Sequence, residues 1–273
     1  MNRLNIATTW GLDSAESSGH DSSLPSDAGN GSDASSLFTT YRPATQAHTC
    51  FVPVHYEANY AYPLIVWLHS DGFNENQVGQ VMPHVSMRNY LATGIRAPKA
   101  ADSAGHRFCW GESTAVMEST EFSVMEAIRH AMEQYSVNPN RVVIAGYKEG
   151  GTVAMQIAMR HPERFSGVVN IGGRFDVPDA TLVDRSALCK HRLRMLWQHA
   201  MLAEDFDQAL LTEQVKLASK FRPRLEVRQY RSDDEMNTAV LSDFDRWVMQ
   251  FIVNEASDPT CLWDSSPTAF SDN

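Results

Sequence analysis

Residues 142–151 read Val-Val-Ile-Ala-Gly-Tyr-Lys-Glu-Gly-Gly, an apolar strand running into Gly-x-Lys-x-Gly. Glycines spaced like Gly146 and Gly150 permit a sharp strand-to-helix turn that lifts one side chain above a parallel sheet. Serine, cysteine or aspartate on such a turn is a nucleophile for a carbonyl carbon. Here the lifted residue is Lys148, and a protonated amine has no lone pair with which to attack. A lysine that attacked an acyl ester would form an amide that does not turn over. With a depressed pKa, encouraged by the positive end of the following helix, it would instead form a Schiff base. Neighbouring carboxylates would keep it charged.

A serine-type mechanism also needs a base, and with a nucleophile on this kind of turn the histidine comes last in the chain. The ten histidines end at His199, so none lies in the stretch where that base would fall. Attacking atom and proton acceptor are thus missing at two separate places. No H-x-x-x-H or closer histidine pair, Walker loop, G-x-G-x-x-G or zinc spacing is present, so the sequence predicts no metal and no cofactor.

The elements that would carry these residues alternate short apolar runs with helical patterns, which predicts an α/β fold: a mainly parallel central sheet with helices on both faces. Predicted strands are Cys50–His55, Pro63–His69, Gly94–Pro98, Arg141–Gly146, Gly167–Gly172, Leu193–His199 and Leu225–Tyr230. Predicted helices are Glu118–Tyr135, Lys148–His161, Phe206–Phe221 and Thr238–Val253, with Val153, Ala154, Ile157 and Ala158 forming an apolar face on the second. Pro139 and Pro162 fall where a strand begins or a helix ends.

Three segments follow from composition. Residues 1–45 are rich in Ser, Asp, Gly and Asn, with too little apolar surface to offset the entropy of ordering, and are expected to be disordered. Residues 46–253 form the α/β body. Residues 254–273, again Ser/Asp/Pro-rich, read as a flexible tail in which Trp263 and Phe270 are the apolar side chains available for docking.

A net charge of −10 argues against nucleic-acid phosphates and anionic membranes as partners. No apolar run is long enough to span a bilayer, and the first residues lack the apolar core of a signal peptide. Cys50, Cys109, Cys189 and Cys261 are scattered without a C-x-x-C pair. That pattern fits reduced thiols in a cytoplasmic protein.

The stretch SVNPNRVVIAGYKEGGTVAMQIAMRHPERFSGVVNIGG (Ser136–Gly173) resembles the core of the phospholipase/carboxylesterase family of α/β-hydrolases, which includes acyl-protein thioesterase-like enzymes. PLIVWLHSDGFNEN (Pro63–Asn76) is similar to that family's strand ending in H-G-x-G-D-N. IRAPKA (Ile95–Ala100) resembles its P-x-A-P segment, with Trp110 just beyond. The resemblance covers residues 48–253 and implies an α/β-hydrolase fold. It also places Lys148 at the serine nucleophile and Asp234, just before Glu235, at the catalytic histidine.

LWQHAMLAEDFDQ (Leu196–Gln208) resembles the family's H-G-x-x-D segment, with His199 as its structural histidine and Glu204 or Asp205 at the acid. A charged first turn capping the next helix is the other reading of Glu204, Asp205 and Asp207. The resemblance puts the backbone amides of Asp71 and Glu149 at the oxyanion hole. Both now carry acidic side chains, a field that opposes a developing oxyanion.

The implied function is a hydrolase-fold pseudoenzyme with a degenerate triad, binding a small acyl-type ligand or a protein partner. An ion pair between Lys148 and Asp234 is expected to close the old pocket. The alternatives are an active carboxylesterase or thioesterase with a rearranged site, for which Ser70, Ser113 and Ser232 are the candidate hydroxyls, and a covalent enzyme using Lys148.

Overall fold

A computed structural model describes residues 47–176, 183–191 and 193–254. The predicted N-terminal segment, Cys261, Trp263 and Phe270 lie outside the described residues.

Seven strands form one sheet in the order β1-β3-β2-β6-β7-β8-β9: β1 (His48–Phe51), β2 (Tyr62–Leu68), β3 (Leu91–Ile95), β6 (Val137–Tyr147), β7 (Gly167–Ile171), β8 (Arg194–Ala200) and β9 (Arg224–Tyr230). Only β1 is antiparallel to its neighbour; the other pairings are parallel. β4 (Lys99–Ala100) and β5 (Phe108–Cys109) make a separate small ribbon. The strands at the centre read as continuous apolar runs because both faces of the sheet are covered. Every residue of β2, for example, is buried.

Alternation along the strands divides the core in two. Leu64, Val66 and Leu68 of β2 face one way, into a core shared with α2 (Thr114–Gln134), α3 (Glu149–Arg160), α4 (Arg185–His191) and α5 (Gln208–Ser219). Ile65 and Trp67 face the other way, toward α1 (Gln77–Val85) and α6 (Thr238–Val248). The α6 helix runs on into a π-helical turn over Met249–Asn254.

All seven predicted strands and four predicted helices are present, with boundary shifts. Pro139 does not begin a strand but lies within β6, where the pairing with β2 slips between Tyr62↔Val137 and Leu64↔Val142. At such an irregularity the missing proline N–H costs no ladder hydrogen bond. The helix α1 was not predicted because Gly79 and Pro83 sit inside it, and both count against a helix in propensity. Burial of Val78, Val81, Met82 and Val85 against the sheet overrides that.

Candidate functional site

The turn predicted at residues 146–150 is formed. β6 ends at Tyr147 and α3 starts at Glu149, leaving Lys148 alone between them with φ 49° and ψ −117°. A non-glycine residue held there carries about 1–3 kcal/mol of backbone strain. The turn is pinned by the Lys148 N–H, which donates to the Ile171 carbonyl at 2.8 Å, and by the Lys148 carbonyl, which accepts from the Thr152 N–H at 3.0 Å. A Cβ on Gly150 would collide with the Leu68 and His69 carbonyls, and one on Gly146 with the Gly150 backbone. Both glycines are therefore required by close approach of backbone to backbone.

The Lys148 side chain ends between two carboxylates. Its Nζ donates to Asp205 Oδ2 at 3.1 Å and lies 3.6 Å from Glu235 Oε2. Burial alone would lower the lysine pKa, but the Glu235 and Asp205 charges outweigh it and hold the ammonium above its ordinary value. This opposes the depressed pKa that a Schiff-base lysine requires. Burial raises the Glu235 carboxyl above the usual range, against the pull of Lys148. For Asp205 burial acts in the same direction, but its hydrogen bond with Lys148 wins and the carboxyl is lowered. Only 5% of the Glu235 side chain is exposed, against 54% for Asp205, so Glu235 is the partner with most to lose if the cation is removed. The Glu235 carboxylate also lies beside Tyr147, whose hydroxyl burial and this charge keep protonated, and packs on Gly172, whose φ of 67° suits glycine and where a Cβ would strike it.

The expected partner of Lys148 is corrected by one residue. Asp234 turns back on its own loop: its Oδ1 accepts from the Met236 N–H at 2.9 Å, and its backbone carbonyl accepts from Asn237 Nδ2 at 2.6 Å. These contacts form the turn into α6, whose N-cap is Asn237. The next side chain, Glu235, is thereby sent into the site. Of the two acid candidates, Asp205 is the one that reaches Lys148. The capping alternative holds for Asp207, whose carboxylate accepts from the Ala209 and Leu210 amides at the start of α5.

The histidines at the strand ends are engaged away from Lys148. The His69 ring accepts at Nε2 from the Ala97 N–H at 3.0 Å, so Nδ1 is assigned as the donor to the Ser70 carbonyl at 2.7 Å. His199 packs between Trp197 and Phe206, with Nε2 buried and unpartnered. Burial depresses both to about 4, leaving neutral rings.

At the two positions expected to form an oxyanion hole, the Asp71 N–H donates to Glu149 Oε2 at 3.2 Å, so the amide already holds a carboxylate oxygen. The Asp71 carboxylate accepts from the Trp110 N–H at 2.8 Å. Burial, with Glu149 nearby, raises its pKa. Sequence reasoning noted both acidic substitutions, but not that one side chain would seal the other's amide.

Above Lys148 lies a cleft of about 710 Å³ lined by Asp71, Trp110, Lys148, Glu149, Phe175 and Asp205 among others. The rim adds the carboxylates of Glu112 and Asp176, while Arg160, which also lines it, is paired with Glu121 at 2.8 Å. The candidate hydroxyls are committed elsewhere. Ser113 caps α2, and Ser232 Oγ accepts from the Asp234 N–H. Ser70 is buried at 4% exposure. Among the described residues no group of His, Cys, Asp and Glu could hold a metal ion, and no helix is long and apolar enough to cross a membrane.

This is an α/β-hydrolase-fold protein, similar in its core to carboxylesterases. A family model described as the prolyl oligopeptidase family matches residues 118–200, the stretch from α2 through the turn to β8. "Putative esterase NocK" of Nocardia uniformis subsp. tsuyamanensis is 39% identical over 44 residues, 16% of this chain and 13% of that protein. The chain thus matches a small part of that relative's length. The crystal structure of the Bacillus cereus carboxylesterase superposes with a TM-score of 0.57 at 14% identity, over 76% of this chain and 95% of that one. The carboxylesterase from Mesorhizobium loti gives 0.56 at 13% identity, over 68% and 88%.

Proposed function

We propose that this chain is a hydrolase-fold pseudoenzyme that binds a small molecule or a protein segment in the cleft over Lys148 and does not hydrolyse it. The observation that carries this reading is the ion-paired Lys148 at the strained turn, 3.1 Å from Asp205 and 3.6 Å from Glu235. A charged ammonium cannot attack, and Glu235 stands where a base would have to receive the proton. Two more features support it. The Glu149 carboxylate occupies the Asp71 amide, which removes a donor that in hydrolases is worth about 10²–10³ in rate. Both strand-end histidines are neutral and buried.

The test is hydrolysis of p-nitrophenyl acetate and a short acyl thioester by wild type and Lys148→Ala. Rates equal to each other and to the buffer background are expected. Wild-type turnover far above Lys148→Ala would overturn the reading and make Lys148 part of a mechanism. Borohydride trapping of a carbonyl compound on Lys148 would assign that mechanism to a Schiff base. Equal turnover well above background in both would point to another nucleophile.

A further inference from the structure

At the opposite end of the sheet from Lys148, a second cleft is lined by Arg164, Arg194, Arg224 and His191, with Glu163 its one carboxylate. Arg194 and Arg224 are register partners on β8 and β9. Register partners project to the same face of a sheet, so the two arginines stand on one face at this end. In a chain of net charge −10, this concentration of arginine is a local reversal of sign.

The last described residues lie at the same place. The Arg194 guanidinium lies over the Phe251 ring at 5.3 Å. The side chain of Ile252 packs against Gly167, next to Ser166 of the cleft wall. Beyond Asn254, residues 255–273 contain Glu255, Asp258, Asp264 and Asp272 and no Lys, Arg or His. At about 3.3 Å per extended residue, a few residues bring those carboxylates to the arginines.

We propose that this arginine cleft is the docking site of the chain's own C-terminal segment, residues 255–273, whose carboxylates bridge Arg194, Arg224 and Arg164. The other cleft near the exit, beside Tyr60, Tyr62, Met249 and Val253, has one cation, Arg88, and one anion, Glu57. It offers no complementary charge, and the acidic segment therefore selects the arginine cleft.

Chymotryptic cleavage after Trp263 and Phe270 in the folded full-length chain, followed by mass spectrometry, tests the docking. Cleavage should be about tenfold faster in Arg164→Glu/Arg224→Glu than in wild type, the scale of a few surface ion pairs acting together. Adding Asp258→Lys and Asp264→Lys to that variant should restore protection. Should the body variant fold poorly by circular dichroism, Asp258→Lys/Asp264→Lys alone, which alters no body residue, should expose the segment equally. Millimolar inorganic phosphate should speed wild-type cleavage by competing for the arginines.

Equal cleavage in all variants would overturn the proposal. So would phosphate binding that leaves cleavage unchanged, which would make the cleft a small-anion site. Protection that rises with protein concentration would also overturn it, by placing the segment on a second copy.

Discussion

The Glu149 carboxylate accepts a hydrogen bond from the Asp71 backbone N–H at 3.2 Å, joining the first residue of α3 to the loop after β2. If this amide holds the oxyanion position, as proposed, a permanent negative charge occupies it. The contact joins two parts of the site that are adjacent in space and 78 positions apart in sequence.

Building a serine–histidine pair at this turn should require the partner seen in space, not the one aligned in sequence. Lys148→Ser/Glu235→His is expected to gain measurable p-nitrophenyl acetate hydrolysis, and adding Glu149→Gln should raise it by at least about tenfold. Lys148→Ser/Asp234→His should stay at background, because Asp234 is spent on its own turn. Activity in the Asp234 variant and none in the Glu235 variant would show that position 235 is not the one facing the elbow.

The Lys148–Glu235 pair was half legible in the sequence. Alternation of apolar strands and amphipathic helices gave the sheet and the turn, since burial on both faces leaves continuous apolar runs in the strands and one buried face leaves a helical period. The lysine at the turn and the absence of any histidine after His199 were equally plain, because they depend only on residue identity. Whether Asp234 or Glu235 enters the site depends on an Asx turn closed by Asp234, Met236 and Asn237. Turn geometry of that kind leaves no periodicity to read, and a one-residue slip changes which carboxylate meets the lysine. The Glu149–Asp71 contact is a long-range pairing of two loops, which no local pattern encodes.

Removing the cation should destabilise the fold in a pH-dependent way. With the lysine side chain 32% exposed, solvent screening reduces the penalty from the 3–5 kcal/mol of fully buried pairs to about 2 kcal/mol for Lys148→Ala at neutral pH. Asp205 is lowered by the lysine, so it contributes stability above its unfolded pKa that is lost as pH falls. Glu235 is already raised and rises further without Lys148, so its burden in the variant is relieved as it protonates. Both effects shrink the difference between variant and wild type on acidification. Urea unfolding at neutral and acid pH checks this; a penalty that grows toward acid would contradict the pairing.

Backbone strain at the turn can be separated from the charge. Glycine accommodates φ 49° and ψ −117°, whereas alanine retains the clash of its Cβ. Lys148→Gly should therefore be more stable than Lys148→Ala by about 1–2 kcal/mol, although both lose the same ion pair. Elsewhere in a chain the order is usually reversed, because glycine gains more entropy on unfolding. Equal midpoints in thermal unfolding would mean that the turn relaxes once the lysine is gone.

His199 should govern part of the acid sensitivity. Its pKa is lowered from 6.5 to about 4 by burial, so between those values the unfolded chain binds a proton that the folded chain refuses. Stability from this group is complete above the unfolded pKa and falls as pH drops toward 4, by up to about 3 kcal/mol. Its Nε2 has no hydrogen-bond partner, and its ring lies between Trp197 and Phe206. His199→Phe is accordingly expected to be within about 1 kcal/mol of wild type at neutral pH and to flatten the decline on acidification. His69 is lowered in the same sense, but its ring bridges Ala97 and Ser70. His69→Phe would orphan both backbone groups and should cost about 2–3 kcal/mol even at neutral pH. Unfolding free energies at several pH values distinguish the two; an unchanged slope in His199→Phe would show that its ring is protonated within the fold.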